Sequence, residues 1–551
     1  MTALRCLLLT MLLPGIVSAA DLVANGTFDE ADAAGAVAGW KADAQGMTTV
    51  SFARDAEMRH SGTASGRMTI AGADNPGWPA FTASVPVQPG QCYRIDGWLR
   101  ARGVERAAYI AADYLDAQGQ RVTFSSSPNV TGTSADWQAI TLPARIPAGA
   151  VTMQVRLILH GNGTAWFDDV TVVRDEAAEA AYARMQAPLS AELVKAGTVS
   201  DGNFARLHRV FQAAAKGGDL TLGVIGGSIT AGASATSVDT RYSAYVLRWL
   251  QAKFPAAKWT LVNAGIGATG TNYGCLRAQR DLLLRKPDLV VCEYAVNDGD
   301  TRECAETYEG LLRQILSSDR SPAVVMLFMM NISGGNAQAT ESAVGAHYGL
   351  PMLSYRDMLW PEIQAKRMAW TDISPDSVHP NDTGQAYAGK LINALLDRAL
   401  ATVPTAPVAA TALPAPLHTD LYQVTHLAEA PDLKPVACQG WRLDVTNPWG
   451  KWWVADQPGS TVEFEVVGEQ VFISYFRIRG PMGRAKITID GGQPHVEEGW
   501  FDQTWGGYRH MIKLPTGAPG RHRIKLELLE EKAAESTGRE FRLVCLGSAG
   551  K

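Results

Sequence analysis

Charge of either sign is scarce in this 551-residue chain: Asp, Glu, Lys and Arg make up 19% of it and leave a formal net charge of −5. With no basic excess, nucleic acid is excluded as a partner, and a neutral or small ligand is expected. Long hydrophobic runs are also missing. Beyond the first twenty residues no stretch of about 18 apolar residues occurs, so no membrane partner is predicted and the mature chain is expected to be soluble. Cysteine is rare, at seven in the whole chain, and no Cys/His spacing resembles a zinc site. Heptads, low-complexity tracts and internal repeats are absent, which rules out a coiled coil, a collagen or a disordered tail. With 46% hydrophobic residues and roughly 150 residues per domain, three or four packed domains are predicted.

What is present begins with a leader. Residues 1–20 hold Arg5, an apolar run from Leu7 to Leu13, a Pro14-Gly15 break and the small residues Ser18-Ala19-Ala20. That order predicts a signal peptide and export to the periplasm or the extracellular medium. Of the six cysteines left after it, Cys292 lies in an apolar run and reads as a small buried hydrophobe. Cys438 and Cys545 bracket the last domain, leaving open either a bridge that ties its ends or two free thiols.

The rhythm of the chain then changes several times. Residues 21–175 are short alternating runs broken by turns, such as Gln91 to Trp98 and Ala165 to Val172, and predict an antiparallel β-sandwich. Residues 176–199 are rich in Ala, Glu and Leu and predict a helical connector. In 200–402 five apolar runs (Leu220 to Ile225, Trp259 to Val262, Leu289 to Cys292, Ala323 to Met330, Pro351 to Leu353) alternate with helix-like stretches. That pattern predicts a doubly wound parallel sheet in three layers, with its ligand site outside the carboxyl ends of the strands. Residues 403–416, crowded with Pro, Ala and Thr, predict an extended linker. Residues 417–551 return to short strands and predict a second sandwich.

The residues after the strands of the middle block carry the chemistry. Gly226-Gly227-Ser228-Ile229-Thr230 follows the first strand and leaves a serine at the mouth of a helix. Asn263 to Gly270 follows the second as a glycine-rich loop whose N–H groups can approach a ligand. Glu293 to Asp298 follows the third, and its Asn297 can donate an amide N–H to an oxyanion. After the fifth comes Asp376-Ser377-Val378-His379, in which the carboxylate can fix the tautomer of the imidazole. Singly, each piece is also what a helix cap, a turn or a loop looks like. The ordered set is the signal.

That set resembles the SGNH/GDSL hydrolases over roughly 200 residues. The resemblance implies a central flavodoxin-like α/β domain with Ser228 as nucleophile, His379 as base and Asp376 as its orienting carboxylate. It implies an oxyanion hole built from the Ser228 and Gly267 N–H groups and Asn297, with Ala268 an alternative block-two donor. Gly227 stands where the name motif has Asp, and Ala295 where block three usually has Gly. An α/β-hydrolase elbow is excluded, because the serine follows the first strand and Thr230 occupies the last glycine position. No metal or organic cofactor is needed for such an acyl-enzyme route.

The segment from Asn25-Gly26-Thr27-Phe28 to Phe167-Asp168-Asp169-Val170 resembles sandwich modules of the family-4/9 carbohydrate-binding type. In the last domain Trp449, Trp452 and Trp453 read as an exposed platform for sugar rings. Two sandwiches flanking an SGNH block resemble the bacterial xyloglucan acetylesterases. The implied activity is removal of O-acetyl groups from an acetylated plant cell-wall glycan, xyloglucan first and xylan next, by a monomer. Two other readings stay open: an SGNH lipase, thioesterase or arylesterase on non-carbohydrate esters, or a glycan-binding protein without catalysis.

Overall fold

The computed structural model describes residues 21–551 except 73–76, 410, 448, 449 and 551. The leader and Trp449 therefore lie outside the described residues. The chain divides into two compact units, one through Arg184 and one from Met185 to Lys551.

The first unit is an antiparallel sandwich of a six-stranded and a five-stranded sheet. Alternation builds it. In the strand Thr152–His160, Met153, Val155, Leu157 and Leu159 enter the core between the sheets, while Gln154, Arg156, Ile158 and His160 face the other way. Its partner Val104–Leu115 repeats this, sending Ala108, Ile110, Ala112 and Tyr114 inward.

The stretch expected as a helical connector contains helices Glu176–Gln186 and Ala191–Ala196. It does not end short of the α/β block, however: Thr198–Ser200 is an antiparallel edge strand of that block's sheet, paired with Met352–Ser354. The other five strands, Gly218–Gly226, Ala257–Gly265, Leu289–Glu293, Ala323–Phe328 and Met352–Ser354, are parallel to their neighbours. Numbered along the chain, they lie in the order 2-1-3-4-5 of a doubly wound sheet. The third and fourth are buried along their whole length, which is why they read as unbroken apolar runs. Helices Ala205–Ala215, Tyr242–Lys253 and Asp382–Leu400 cover one face, and Thr271–Asp281, Arg302–Leu316 and Gln338–His347 the other.

Residues 403–416 are not a free spacer. Gln212 Nε2 donates to the carbonyls of Pro404 and Ala406, each at 2.8 Å, and Arg313 Nη1 to that of Pro414 at 2.9 Å. An extended Pro-rich segment has no internal hydrogen bonds, so its carbonyls are available to side chains of the sheet's helices.

The second sandwich packs a six-stranded sheet on a five-stranded one, with antiparallel pairing throughout its strand ladders. Here Cys438 and Cys545 are both free thiols. Cys438 is exposed on the strand Ala437–Gln439 of one sheet. Cys545 lies in Phe541–Ala549 of the other and turns away from the inter-sheet core toward Tyr273 of the α/β block, so alternation separates the two.

Candidate functional sites

The central strand Gly218–Gly226 ends on the first of two glycines whose neighbours sit close against them. A Cβ at Gly226 would fall 2.3 Å from the Glu293 carbonyl oxygen, and one at Gly227 would fall 2.0 Å from Asn297 Oδ1. The departure from the usual Asp at 227 is therefore matched by the position of Asn297. The chain turns into the four-residue helix Ser228–Ala231, leaving Ser228 half-buried at its first residue. Strands one and three flank the point where strand order reverses, and Ser228 and Asn297 issue from their carboxyl ends.

The loop before the helix Asp382–Leu400 brings the other two polar groups to the serine. His379 Nε2 lies 2.9 Å from Ser228 Oγ, and His379 Nδ1 lies 2.8 Å from Asp376 Oδ2. The second carboxylate oxygen, Oδ1, accepts the N–H of Val378 at 2.8 Å and of His379 at 2.7 Å. Partial burial opposes ionisation of Asp376, but those hydrogen bonds and the imidazole outweigh it and hold the carboxyl below its usual range. A carboxylate on Nδ1–H leaves Nε2 as an acceptor for the serine proton.

Gly267 is beside the serine, a Cβ built on it falling 3.6 Å from Ser228 Cβ, and Ala268 follows with φ +55°. Among the described residues, the N–H groups of Ser228, Gly267 and Ala268 have no hydrogen-bond acceptor. Asn297 Oδ1 is buried against the Gly227 backbone without a donor, and Asn297 lines the cavity that opens beside it. These groups are placed to receive an oxyanion.

Several supporting side chains carried no sequence signal beyond lying in the same loops. Asn263 donates to the Thr230 carbonyl at 2.8 Å and accepts the Gly265 N–H at 2.9 Å, joining the serine helix to the glycine loop. Asp298 accepts the N–H and hydroxyl of Thr271 and so caps the helix Thr271–Asp281 from the third loop; desolvation pushes its carboxyl up to about 6. Beneath the serine turn, Glu293 is fully buried and accepts from the Thr230 hydroxyl at 2.9 Å, which also meets Tyr242 Oη. Desolvation pushes Glu293 up to about 7 against those hydrogen bonds.

Beside Asn297 opens a cavity of about 180 Å³, floored by Ala268 to Gly270 and walled by Tyr508, Arg509, His510 and Met511 of the second sandwich. Phe501, Trp505 and Tyr508 pack edge to face or tilted beside it, and Trp505 is 59% exposed. The expected tryptophan platform is placed otherwise. Trp452 is 2% exposed, in the cluster with Tyr273 and Cys545. Trp453 is half-buried against the sandwich core and donates Nε1–H to the Ala430 carbonyl at 2.9 Å. The strand Trp452–Ala455 is interior to a sheet covered on both faces, so neither ring is free.

The first unit has its own cleft, about 460 Å³, on the outward face of its six-stranded sheet. Ala80, Ala111 and Ile158 form an apolar floor there. Trp78, 51% exposed, stacks on His160 at 4.9 Å and 4°, and Phe124, 59% exposed, lies under the Arg121 guanidinium. Arg156 donates to Asp113 at 3.3 Å and to the Trp78 carbonyl at 2.9 Å, with its buried Nε unpaired.

The chemistry this chain carries is that of a carboxylic ester hydrolase of the SGNH type. Its residues 224–387 match the GDSL-like Lipase/Acylhydrolase family, the segment that begins in the strand before Ser228 and runs past His379. No curated protein matches the sequence. Among solved structures it is similar to a two-domain esterase (CEX) active on acetylated mannans, at 29% identity with a TM-score of 0.61, over 65% of this chain and 98% of that one. The same esterase co-crystallised with mannopentaose gives 29% identity and a TM-score of 0.60 over the same shares.

Proposed function

We propose that this protein is an exported serine carbohydrate esterase that removes O-acetyl groups from acetylated plant cell-wall polysaccharide. The observation that carries the reaction is the unbroken relay Ser228 Oγ to His379 Nε2 at 2.9 Å and His379 Nδ1 to Asp376 at 2.8 Å. In this reading His379 takes the serine proton as Oγ attacks the acetyl carbonyl. The tetrahedral oxyanion is held by the Ser228 and Gly267 N–H groups with Asn297 Nδ2, and the imidazolium then protonates the departing sugar oxygen, which leaves as the free hydroxyl. Water, deprotonated by His379, releases acetate from the acyl-enzyme. Asp376 keeps the imidazole in the working tautomer and stabilises its cation.

Support for a glycan comes from what surrounds the cavity. Tyr508 and His510 present their rings to the cavity beside Asn297, and the exposed Trp505 offers a further ring face next to them. The Trp78–His160 cleft of the first unit supplies a second surface for sugar rings. The neighbour active on acetylated mannans adds mannan to xyloglucan and xylan as substrates to compare. Export rests on the Arg5, Leu7 to Leu13 and Ala19-Ala20 pattern. Acetate release from acetylated mannan, xyloglucan and xylan oligosaccharides, beside acetyl, butyryl and octanoyl aryl esters, tests the reading. It predicts glycan deacetylation and a steep fall with acyl length, and activity rising toward octanoyl overturns it.

A further inference from the structure

The second sandwich meets the α/β block along two helices, Thr271–Asp281 and Arg302–Leu316, and its contact with the first centres on one carboxylate. Glu429, on the strand Thr425–Glu429, accepts from three directions at once. Tyr273 Oη donates to it at 2.9 Å, Arg280 Nη1 at 2.7 Å, and Arg509 Nη1 at 3.2 Å and 3.1 Å to its two oxygens. Arg509 Nη1 also donates to Tyr273 Oη at 2.8 Å, closing the ring of contacts. Tyr273 and Arg280 are two turns apart on the face of Thr271–Asp281 that the sandwich covers, and Leu276 between them touches Gly547 so closely that a Cβ there would lie 2.6 Å away. Arg509 sits between Tyr508 and His510, in the segment that walls the cavity beside Asn297.

The helix itself has separate anchors on its other side. Arg277, fully buried, donates to the carbonyls of Ala264 at 2.7 Å and Gly226 at 3.1 Å, and Asp298 caps the first turn. Loss of the Glu429 contact therefore leaves the glycine loop and the serine turn seated, and takes from the wall, an edge strand that keeps its ladder to Gln470–Arg477, its side-chain tie to the helix.

We propose that Glu429 is a positioning residue for substrate choice: it latches the Tyr508–Met511 wall to the helix behind the glycine loop, so that the sugar of the ester is held while its acetyl group is attacked. This rests on the glycan-esterase reading above. Glu429→Gln removes the charge that joins Arg280 and Arg509, and Arg280→Met removes one donor while keeping a long apolar stem.

Both variants are compared with the wild type in the full chain, using an acetyl aryl ester and an acetylated oligosaccharide, with hydrogen exchange followed in segments 266–270 and 508–511. The expected result is kcat/KM on the aryl ester within about 2-fold, KM for the oligosaccharide raised about 5-fold at similar kcat, and faster exchange confined to 508–511. Parallel losses on both esters, faster exchange in 266–270 as well, or no change in KM and exchange each overturn the latch. Should the wild type cleave the aryl ester yet release no acetate from any glycan, the functional reading falls. The latch is then decided by exchange alone, and unchanged exchange in 508–511 overturns it.

Discussion

Replacing Asp376 by Asn tests the relay at its outermost member. The amide can keep its oxygen on the N–H groups of Val378 and His379, 2.8 Å and 2.7 Å away, so the loop has no reason to move. What then faces His379 Nδ1 is an NH₂ donor. The imidazole must present a lone pair at Nδ1 and carry its proton on Nε2, where it can no longer accept from Ser228. Two costs add. A carboxylate about 4 Å from the imidazolium centre is worth about 1–4 kcal/mol between water and a protein surface. Since the Asp376 side chain is 44% exposed, the low end applies, ~1–2 kcal/mol. Restoring the working tautomer against the amide costs a further ~1–2 kcal/mol, comparable to one hydrogen bond. The sum, about 3 kcal/mol, corresponds to roughly 10²-fold in kcat. The assay is steady-state hydrolysis of an acetyl aryl ester at fixed pH, with the thermal midpoint of the variant measured alongside. An unchanged midpoint with a loss under about 5-fold would refute the orienting role of Asp376.

Three further outcomes follow from the same geometry. Asn297→Ala should lower kcat by about 10²–10³-fold with KM little changed; because the orphaned Oδ1 leaves with it, denaturant unfolding should show no loss of stability. Glu293 has its carboxyl raised from 4.5 to about 7, so the folded state binds that proton more tightly than the unfolded chain. Its contribution is full below about pH 4.5 and is lost as pH rises through about 7, on the order of 3 kcal/mol, and Glu293→Gln should make the fall in stability between pH 5 and pH 8 shallower by most of that amount. Trp78→Ala removes an exposed ring stacked on His160 and should weaken retention of the full chain on a soluble-glycan affinity gel by about 10-fold.

The relay residues were legible because their order along the chain mirrors the order of the strands, and every strand end in a doubly wound sheet points to the same edge. Supporting residues were not. Glu293 looks like the last residue of an apolar strand, and only the fold reveals that the Thr230 hydroxyl reaches it and is met in turn by Tyr242 Oη. The tryptophan platform failed because aromatic content says nothing about which face of a sheet is covered. Trp452 alternates onto the face that docks against Tyr273, and Trp453 onto the inter-sheet core. The Trp78 cleft was missed for the converse reason. Its floor, Ala80, Ala111 and Ile158, comes from three strands distant in sequence, and small apolar residues on an outward face become a cleft only once their register is known. The Pro-rich stretch read as a spacer because a segment that bonds only to side chains elsewhere leaves no periodic trace.

Attack of Ser228 on the acetyl group of a sugar ester, as proposed above, is tested by measuring acetate released from an acetylated oligosaccharide by the wild type and by Ser228→Ala at equal concentration. The expected result is steady release by the wild type and a loss of at least about 10³-fold in the variant, with glycan retention intact. Comparable release by both would contradict it.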